Sequence, residues 1–339
     1  MMRLPKFVRL VPSSAAEACG MLYEHKGEAQ AIAGGTDLLV SMKQRVVAPK
    51  YLVDLTTIPD LDYLSYDEKA GLRIGPLTRI ATLAANPELA IRYPAISQAA
   101  ALVGACQLQH MGTLGGNICL DTRCWYYQQS PFWRKSRRAC LKYNGDICHM
   151  ARASKVCVAV YSGDMAPALI ALGASVSLFG HKGERVIPLS DLYSGDGKAY
   201  LKKEPDEIVR EISVPASETN GASAYMKFRT RNAVDFPLVG VAAHLVVNGG
   251  ECTHARVVFN AVASAPLIAH DASGHLKGKK ITPELIEEVS QKAYREAKPI
   301  SSTGGCSPAY RKKMTAVYTG RVVNAIISRI SGQAEEVGR

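Results

Sequence analysis

Five of the nine cysteines in this 339-residue chain fall between Cys119 and Cys157, a clustering that asks for a chemical cause. Cys124, Cys140, Cys148 and Cys157 stand 16, 8 and 9 positions apart with no Cys-x-x-Cys pair, a spacing that matches neither a zinc ribbon nor the common ferredoxin patterns. Four thiolates on one iron-sulfur cube would pin a segment that otherwise has no means to offset its ordering entropy. Cys119 and His149 are competing ligands. Cys19, Cys106, Cys252 and Cys306 read as ordinary buried thiols.

A second chemistry is suggested by glycine. Ile32-Ala33-Gly34-Gly35-Thr36-Asp37 sets two glycines and a hydroxyl where a strand turns into a helix, so backbone N–H groups can face a diphosphate without side-chain obstruction. It is neither the G-x-G-x-x-G fingerprint nor a Walker loop. Thr113-Leu114-Gly115-Gly116-Asn117 offers the same chemistry, and one ligand bearing a diphosphate could be clamped between the two; a pair of ordinary tight turns is the plain alternative. No nucleophile elbow, no H-E-x-x-H and no paired-carboxylate signature occurs, and the eight histidines are scattered.

The elements that must position these residues alternate in the first third. Ala15 to Lys26 has helical spacing, Ala29 to Ala33 is a short strand, and Leu38 to Gln44 is helical. Tyr51 to Leu55 and Gly71 to Ile74 predict strands, and Thr78 to Asn86 and Tyr93 to Ala105 predict helices. Leu120 to Val156 shows no sustained period, which is odd inside a compact domain unless something tethers it. Met165 to Leu172 is then helical, and Ser175 to Phe179, Val186 to Pro188 and Ile208 to Val214 are strand-like. Ala216 to Ser223 has the composition of a domain boundary. Beyond it, Ser223 to Arg229, Ala242 to Val247 and Arg256 to Val262 predict strands, with Asn248-Gly249-Gly250 as a hairpin turn. Thr282 to Glu296 and Tyr310 to Ser328 predict amphipathic helices.

Composition bounds the rest. With 47% hydrophobic and 21% charged residues the chain is globular and long enough for two or three packed units. No apolar run is long enough to span a membrane, and no secretory leader is evident, so a reducing, cytoplasmic setting is expected. The net charge of +11 admits nucleic acid, an acidic membrane surface or an acidic protein as partner. Its densest part, Arg123, Arg134, Lys135, Arg137, Arg138, Lys142, Arg152 and Lys155, overlaps the cysteine cluster.

Taken in order, Ala31-Ile-Ala-Gly-Gly-Thr-Asp-Leu38, Thr113-Leu-Gly-Gly-Asn117, Ser162-Gly-Asp-Met-Ala-Pro-Ala-Leu169 and Lys227-Phe-Arg-Thr-Arg-Asn-Ala-Val-Asp-Phe-Pro-Leu238 resemble the FAD-binding subunits of the xanthine dehydrogenase and carbon monoxide dehydrogenase family of molybdenum hydroxylases. The resemblance runs collinearly over nearly the whole chain. It implies an α+β protein: a two-part FAD-binding domain of the vanillyl-alcohol oxidase (PCMH) type at residues 1–217, with subdomains at about 1–55 and 56–217. An iron-sulfur loop is inserted at 119–158, and a small α+β C-terminal domain occupies 222–328. Most subunits of the family lack the insertion. Here it resembles that of 4-hydroxybenzoyl-CoA reductase beta subunits through Leu120-Asp-Thr-Arg-Cys124, Trp133-Arg-Lys135, Cys140-Leu-Lys-Tyr143 and Gly145-Asp146.

Carried over residue by residue, the resemblance places Ala31, Ile32, Ala33, Gly34, Gly35, Thr36, Asp37 and Leu38 around the FAD diphosphate. Thr113, Leu114, Gly115, Gly116 and Asn117 fall on its diphosphate and ribityl side. Asp164 would meet the adenosine-side hydroxyls or a neighbouring loop, Lys227 the flavin end, and Val103 and Val209 would make apolar or backbone contacts. Cys124, Cys140, Cys148 and Cys157 would hold a [4Fe-4S] cluster, and no catalytic residue is implied. Electrons would pass from the cluster to FAD, then to a [2Fe-2S] subunit and a molybdenum-cofactor subunit, in a dimer of heterotrimers. An acidic ferredoxin, steered by Arg134, Lys135, Arg137 and Arg138, would supply them for reductive removal of an aromatic hydroxyl from a CoA thioester. Two alternatives stay open: a conventional hydroxylase subunit passing electrons outward to NAD or a quinone, and a zinc-stabilised interaction protein whose basic face binds nucleic acid.

Overall fold

The computed structural model describes residues 3–300 and 306–332. The chain opens with β1 (Val8–Leu10), α1 (Ala15–Glu24), β2 (Ala29–Ile32), α2 (Leu38–Lys43) and β3 (Tyr51–Asp54). The three strands form a parallel sheet in the order β1-β3-β2. Ser14 caps α1 by accepting the Glu17 N–H at 3.2 Å, and the helix turns Ala18, Cys19 and Leu22 inward against Val53. The turn after β2 is thereby fixed at the edge of this small lobe.

A second lobe follows: β4 (Leu64–Asp67), β5 (Gly71–Ile74), α3 (Ile80–Ala85), α4 (Pro87–Arg92), α5 (Pro94–Ala101), α6 (Cys106–Met111), α7 (Leu114–Ile118), α8 (Pro131–Lys135), α9 (Met165–Ala171), β6 (Ser175–Gly180), β7 (Gly183–Pro188) and β8 (Ile208–Val214). Its sheet is antiparallel in the order β4-β5-β8-β6-β7. Every residue of α9 is buried, which suits a helix with no polar face at the centre of a core. Between β8 and β9 the chain makes no regular element. It then forms β9 (Gly221–Phe228), β10 (Val239–Asn248), β11 (Glu251–Asn260), β12 (Leu267–Ile268), α10 (His270–Leu276), β13 (Lys279–Lys280), α11 (Pro283–Glu296) and α12 (Pro308–Ile330). The third sheet runs β12-β11-β10-β9, with β13 also beside β11. Gly249 and Gly250, both at positive φ, make the two-residue turn between β10 and β11.

The strands and long helices expected from periodicity are present, with shifted ends. The helix expected over Tyr93 to Ala105 stops at Ala101, and Gly104 at φ +51° turns the chain into α6. The short α4, α6, α7, α8 and α10 and the strands β1, β4, β12 and β13 were not foreseen, because elements this short show less than two full periods.

The segment from Leu120 to Val156 contains only α8 and one 3-10 turn at Leu141–Tyr143, but it is not held by cysteines alone. Arg123 and Val160 exchange two backbone hydrogen bonds of 2.8 Å and close its base. The buried Lys142 amine donates to Asp121 at 2.6 Å, to the Thr122 hydroxyl and carbonyl, and to the Gly197 carbonyl at 2.8 Å. Arg134, 5% exposed, donates to the carbonyls of Tyr127, Gln129 and Arg45 and lies over the Tyr143 ring. The expectation that only metal could offset the ordering cost is therefore corrected: buried cations that satisfy loop carbonyls do part of it.

The third sheet supplies a pH test. Burial first, with His254 and Arg256 adding to it, pushes His244 of β10 down to about 4, and the His254 ring lies 5.7 Å away. Below its ordinary value of 6.5 the unfolded chain binds a proton that the folded chain refuses until about pH 4. Stability therefore rises with pH across that window and is flat above it. Urea unfolding at pH 5 should be about 2 kcal/mol less favourable to the native state than at pH 7, and His244→Asn should remove most of that difference.

Candidate cofactor-binding site

Two segments meet without room for a side chain between them. A methyl group at Gly34 would stand 1.8 Å from the Met111 carbonyl oxygen, and the Gly112 Cα is close by. The turn after β2 thus rests directly on the end of α6. Gly35 next to it has φ +68°, a conformation that favours glycine. Above this contact opens a cavity of about 730 Å3, within the range of small-molecule and cofactor sites. All three sheets contribute to its wall: the turn after β2, the α6–α7 corner, Val209 of β8, Lys227 of β9, and Val234 and Phe236 from the segment between β9 and β10.

The two glycine turns are not equivalent. Among the described residues, none of the N–H groups of Gly34, Gly35, Thr36 and Asp37 donates to the protein's own backbone. The Thr113–Asn117 segment was expected to offer the same open donors, and it does not. Its residues 114–118 form α7, and four of its five N–H groups are spent: Leu114 on the Thr78 carbonyl, Gly115 on the Pro76 carbonyl, Gly116 on the Thr113 hydroxyl and Asn117 on the Thr113 carbonyl. Gly115 is small because Pro76 lies 2.7 Å from where its Cβ would be. This segment supplies a wall, and the first turn supplies the donors.

Of the seventeen residues expected around the cofactor, sixteen border this cavity: residues 31–38, Val103, Thr113, Gly115, Gly116, Asn117, Asp164, Val209 and Lys227. Leu114 does not, being fully buried in the core of the second lobe. Asp164 and Lys227, expected at different ends of the ligand, are bonded to each other. The Lys227 amine donates to Asp164 Oδ2 at 2.9 Å and to the Leu102 carbonyl at 2.8 Å, and the Tyr225 hydroxyl donates to Asp164 Oδ1 at 2.6 Å. Burial works against both charges, raising the Asp164 carboxyl and lowering the Lys227 amine, and their contact opposes it. Both residues therefore sit at one end of the cavity.

Sequence reasoning missed Arg123, Ser162 and Phe236 as wall residues. Ser162 is 5% exposed and its hydroxyl has no partner, an orphaned polar atom beside a cavity that a polar ligand would satisfy. Asp37 is paired with Arg123, and burial raises its carboxyl while Arg123 acts in the opposite direction. The open donors, the orphaned hydroxyl and the glycine floor fit a dinucleotide bearing a diphosphate.

Cys119 borders this cavity, and Cys124, Cys140, Cys148 and Cys157 do not. Cys148 and Cys157 are buried, and Cys124 and Cys140 half-buried. Burial pushes the Cys124 thiol up, and Cys140 and Cys148 are near enough to push it further. Burial likewise takes Cys157 to about 11, with Cys124 and Cys148 adding to it. The four sulfurs thus share one electrostatic neighbourhood. Among the described residues, however, no three His, Cys, Asp or Glu side chains stand close enough to hold one metal ion. A mononuclear zinc site needs four ligands within about 2.3 Å of one ion, whereas a cube spreads its thiolates over separate irons. Of the competing ligands, His149 donates to the Arg138 carbonyl at 2.7 Å and stacks on Tyr126, and Cys119 is packed among tyrosines. Cys19 and Cys252 are buried thiols as expected, but Cys106 is exposed and Cys306 half-buried.

The basic face also differs from expectation. Arg134 is buried and Arg138 is paired with Asp146, so neither is a free steering charge, whereas Lys135, Arg137, Arg152 and Lys155 are exposed.

This is the architecture of a flavoprotein subunit of mixed helix and sheet, with a dinucleotide cavity between a glycine turn and a separate α/β cap. Residues 5–217 match the family described as the FAD binding domain in molybdopterin dehydrogenase, and residues 223–326 the CO dehydrogenase flavoprotein C-terminal domain. The chain belongs to this family, the FAD-binding subunits of the xanthine and CO dehydrogenase type. It is 30% identical to the carbon monoxide dehydrogenase medium chain of Afipia carboxidovorans over 94% of this chain and 96% of that one. It is 32% identical to an aldehyde oxidoreductase FAD-binding subunit of Escherichia coli over 70% and 76%. Reconstituted CO dehydrogenase from Oligotropha carboxidovorans has a chain that superposes with a TM-score of 0.79 at 27% identity, covering 97% of this chain and 100% of that one. The molecule is an oxidoreductase subunit, and no described helix is long and apolar enough to cross a membrane.

Breaking the buried ion pair should be costly. Lys227→Met in the full chain should lower stability by about 3–5 kcal/mol in urea unfolding, because Asp164 is left without its counter-charge. Adding Asp164→Leu should recover much of the loss. Equal losses in the single and double variants would show that packing at Lys227, not the charge, is what matters.

Proposed function

We propose that the chain is the FAD-carrying electron-transfer subunit of a multi-subunit molybdenum enzyme and performs no substrate chemistry itself. The observation that carries this reading is the turn of open N–H groups at Gly34 to Asp37 on the floor of a cavity of cofactor size. Bound FAD supplies exchange of electrons singly or in pairs. The chain's own residues would hold and enclose it: the Gly34–Asp37 donors would face the diphosphate, Ser162 would offer its free hydroxyl, and Val103 and Val209 would line its apolar parts. The Asp164–Lys227 pair would form part of the wall. That its relatives are a medium chain and an FAD-binding subunit supports a place in a multi-subunit complex; within this reading the partners are a molybdenum-cofactor subunit and a [2Fe-2S] subunit, in a cytoplasmic dimer of heterotrimers. The same relatives support the conventional direction, outward from molybdenum to NAD or a quinone.

The cysteine neighbourhood favours a second reading. In it Cys124, Cys140, Cys148 and Cys157 hold a [4Fe-4S] cluster, electrons run inward from an acidic ferredoxin, and the complex removes a hydroxyl from 4-hydroxybenzoyl-CoA or a related aromatic thioester. The PCMH-type two-part arrangement and the boundaries 1–217 and 222–328 belong to the first reading, and the cluster-binding loop at 119–158 to the second.

Anaerobic purification should yield about one FAD and about four irons per chain, with Cys140→Ala losing the iron and keeping most of the flavin. A yellow, iron-free protein would remove the cluster and leave the flavin reading standing; a colourless one would remove both. Reversing Lys135, Arg137 and Arg152 to Glu should slow reduction by an acidic ferredoxin and flatten its salt dependence. An unchanged rate and salt slope would exclude this face as the docking site.

A further inference from the structure

The cation nearest the open turn comes from the cysteine-bearing insertion. Among the described residues, three cations border the cavity: Lys203, Lys227 and Arg123. Lys227 is spent on Asp164 and the Leu102 carbonyl, and Lys203 on the carbonyls of Glu204 and Glu207. Arg123 bonds through one terminal nitrogen to Asp37, the last residue of the donor turn, and its Nε is buried with no partner. Its guanidinium carbon lies 4.1 Å from the centroid of the Phe236 ring, a cation–π contact that adds a second restraint on the group. Backbone hydrogen bonds to Val160 on both sides of Arg123 fix the base of the side chain.

A diphosphate at the Gly34–Asp37 turn would meet the Asp37 carboxylate, and like charges there cost affinity unless a cation offsets them. A planar guanidinium with unused donors suits phosphate oxygens, which it grips through more than one N–H. We propose that Arg123 is a diphosphate-binding residue for the dinucleotide, delivered by the insertion. The insertion then has two tasks: it carries the cysteines, and it completes the wall of the neighbouring cofactor site. This rests on the flavin reading above, with FAD as the ligand, and not on the cluster.

The test uses the full chain stripped of cofactor, with FAD and ADP as probes and binding followed by flavin fluorescence quenching and by calorimetry. Arg123→Gln should weaken both probes by roughly ten- to hundredfold, and Arg123→Lys, which keeps the charge but not the fork, by less. Asp37→Asn should act in the opposite direction and tighten both, because it removes the repulsive carboxylate and frees the guanidinium. If Arg123 merely braces the fold through Asp37, Arg123→Gln and Asp37→Asn will lose affinity alike, and the assignment is overturned. Unchanged FAD affinity in Arg123→Gln also overturns it, as does a loss confined to FAD with ADP unaffected. A wild-type chain that binds neither probe would instead sink the flavin reading on which it rests.

Discussion

The contact on which the site depends is the seating of Gly34 on the Met111 carbonyl. No side chain fits there, so a residue with a Cβ would force the turn after β2 away from the end of α6. Held in that position, the turn can form neither strand nor helix, and its N–H groups are left for something outside the backbone. Unmade hydrogen bonds near a protein interior are costly. Such a turn persists because the lobe beneath it, with α1 packed on the parallel sheet, is stable enough to hold it. A polar ligand would then recover what folding leaves unmade.

Charge is arranged around the cavity in the same spirit. Three carboxylates that border it each have a nearby cation: Asp164 has Lys227, Asp37 has Arg123, and Asp121 has Lys142. Two of those three cations belong to the cysteine-bearing segment, residues 119–158. The segment is therefore not an appendage on a finished domain. Its first residues border the cavity, its base is closed by Arg123 and Val160, and Lys142 reaches back to the Gly197 carbonyl beyond its far end.

How much of this the sequence disclosed follows from the range of the forces involved. Long periodic elements such as α11 and α12 were legible because their spacing repeats over several turns. The residues 31–38 were legible as a turn because two glycines and a strand are local signals. What local signals could not separate was the first glycine turn from the second. Thr113–Asn117 has the same composition, but Pro76 and Thr78, far off in sequence, use up its donors. Arg134 and Lys142 looked like solvated charge for the same reason: their partners are carbonyls, which no sequence pattern marks. Arg123 was counted in a basic cluster, and only its placement beside Asp37 and Phe236 separates it from its neighbours.

The position of the insertion narrows what it can be for. Closing a loop of nearly forty residues costs little more than closing one half as long, so its length alone sets no strict demand for a metal. Its anchoring does more. Two hydrogen bonds at its neck tie Arg123, the residue before Cys124, to Val160, three residues from Cys157, while the Arg123 side chain reaches the donor turn of the cavity. A loop needed only for docking or stability could be joined anywhere on the surface. Here Cys124 directly follows Arg123 of the cavity wall, so that, on the cluster reading proposed above, the two redox sites would be joined through adjacent residues, and electron transfer across a protein depends above all on such short separations.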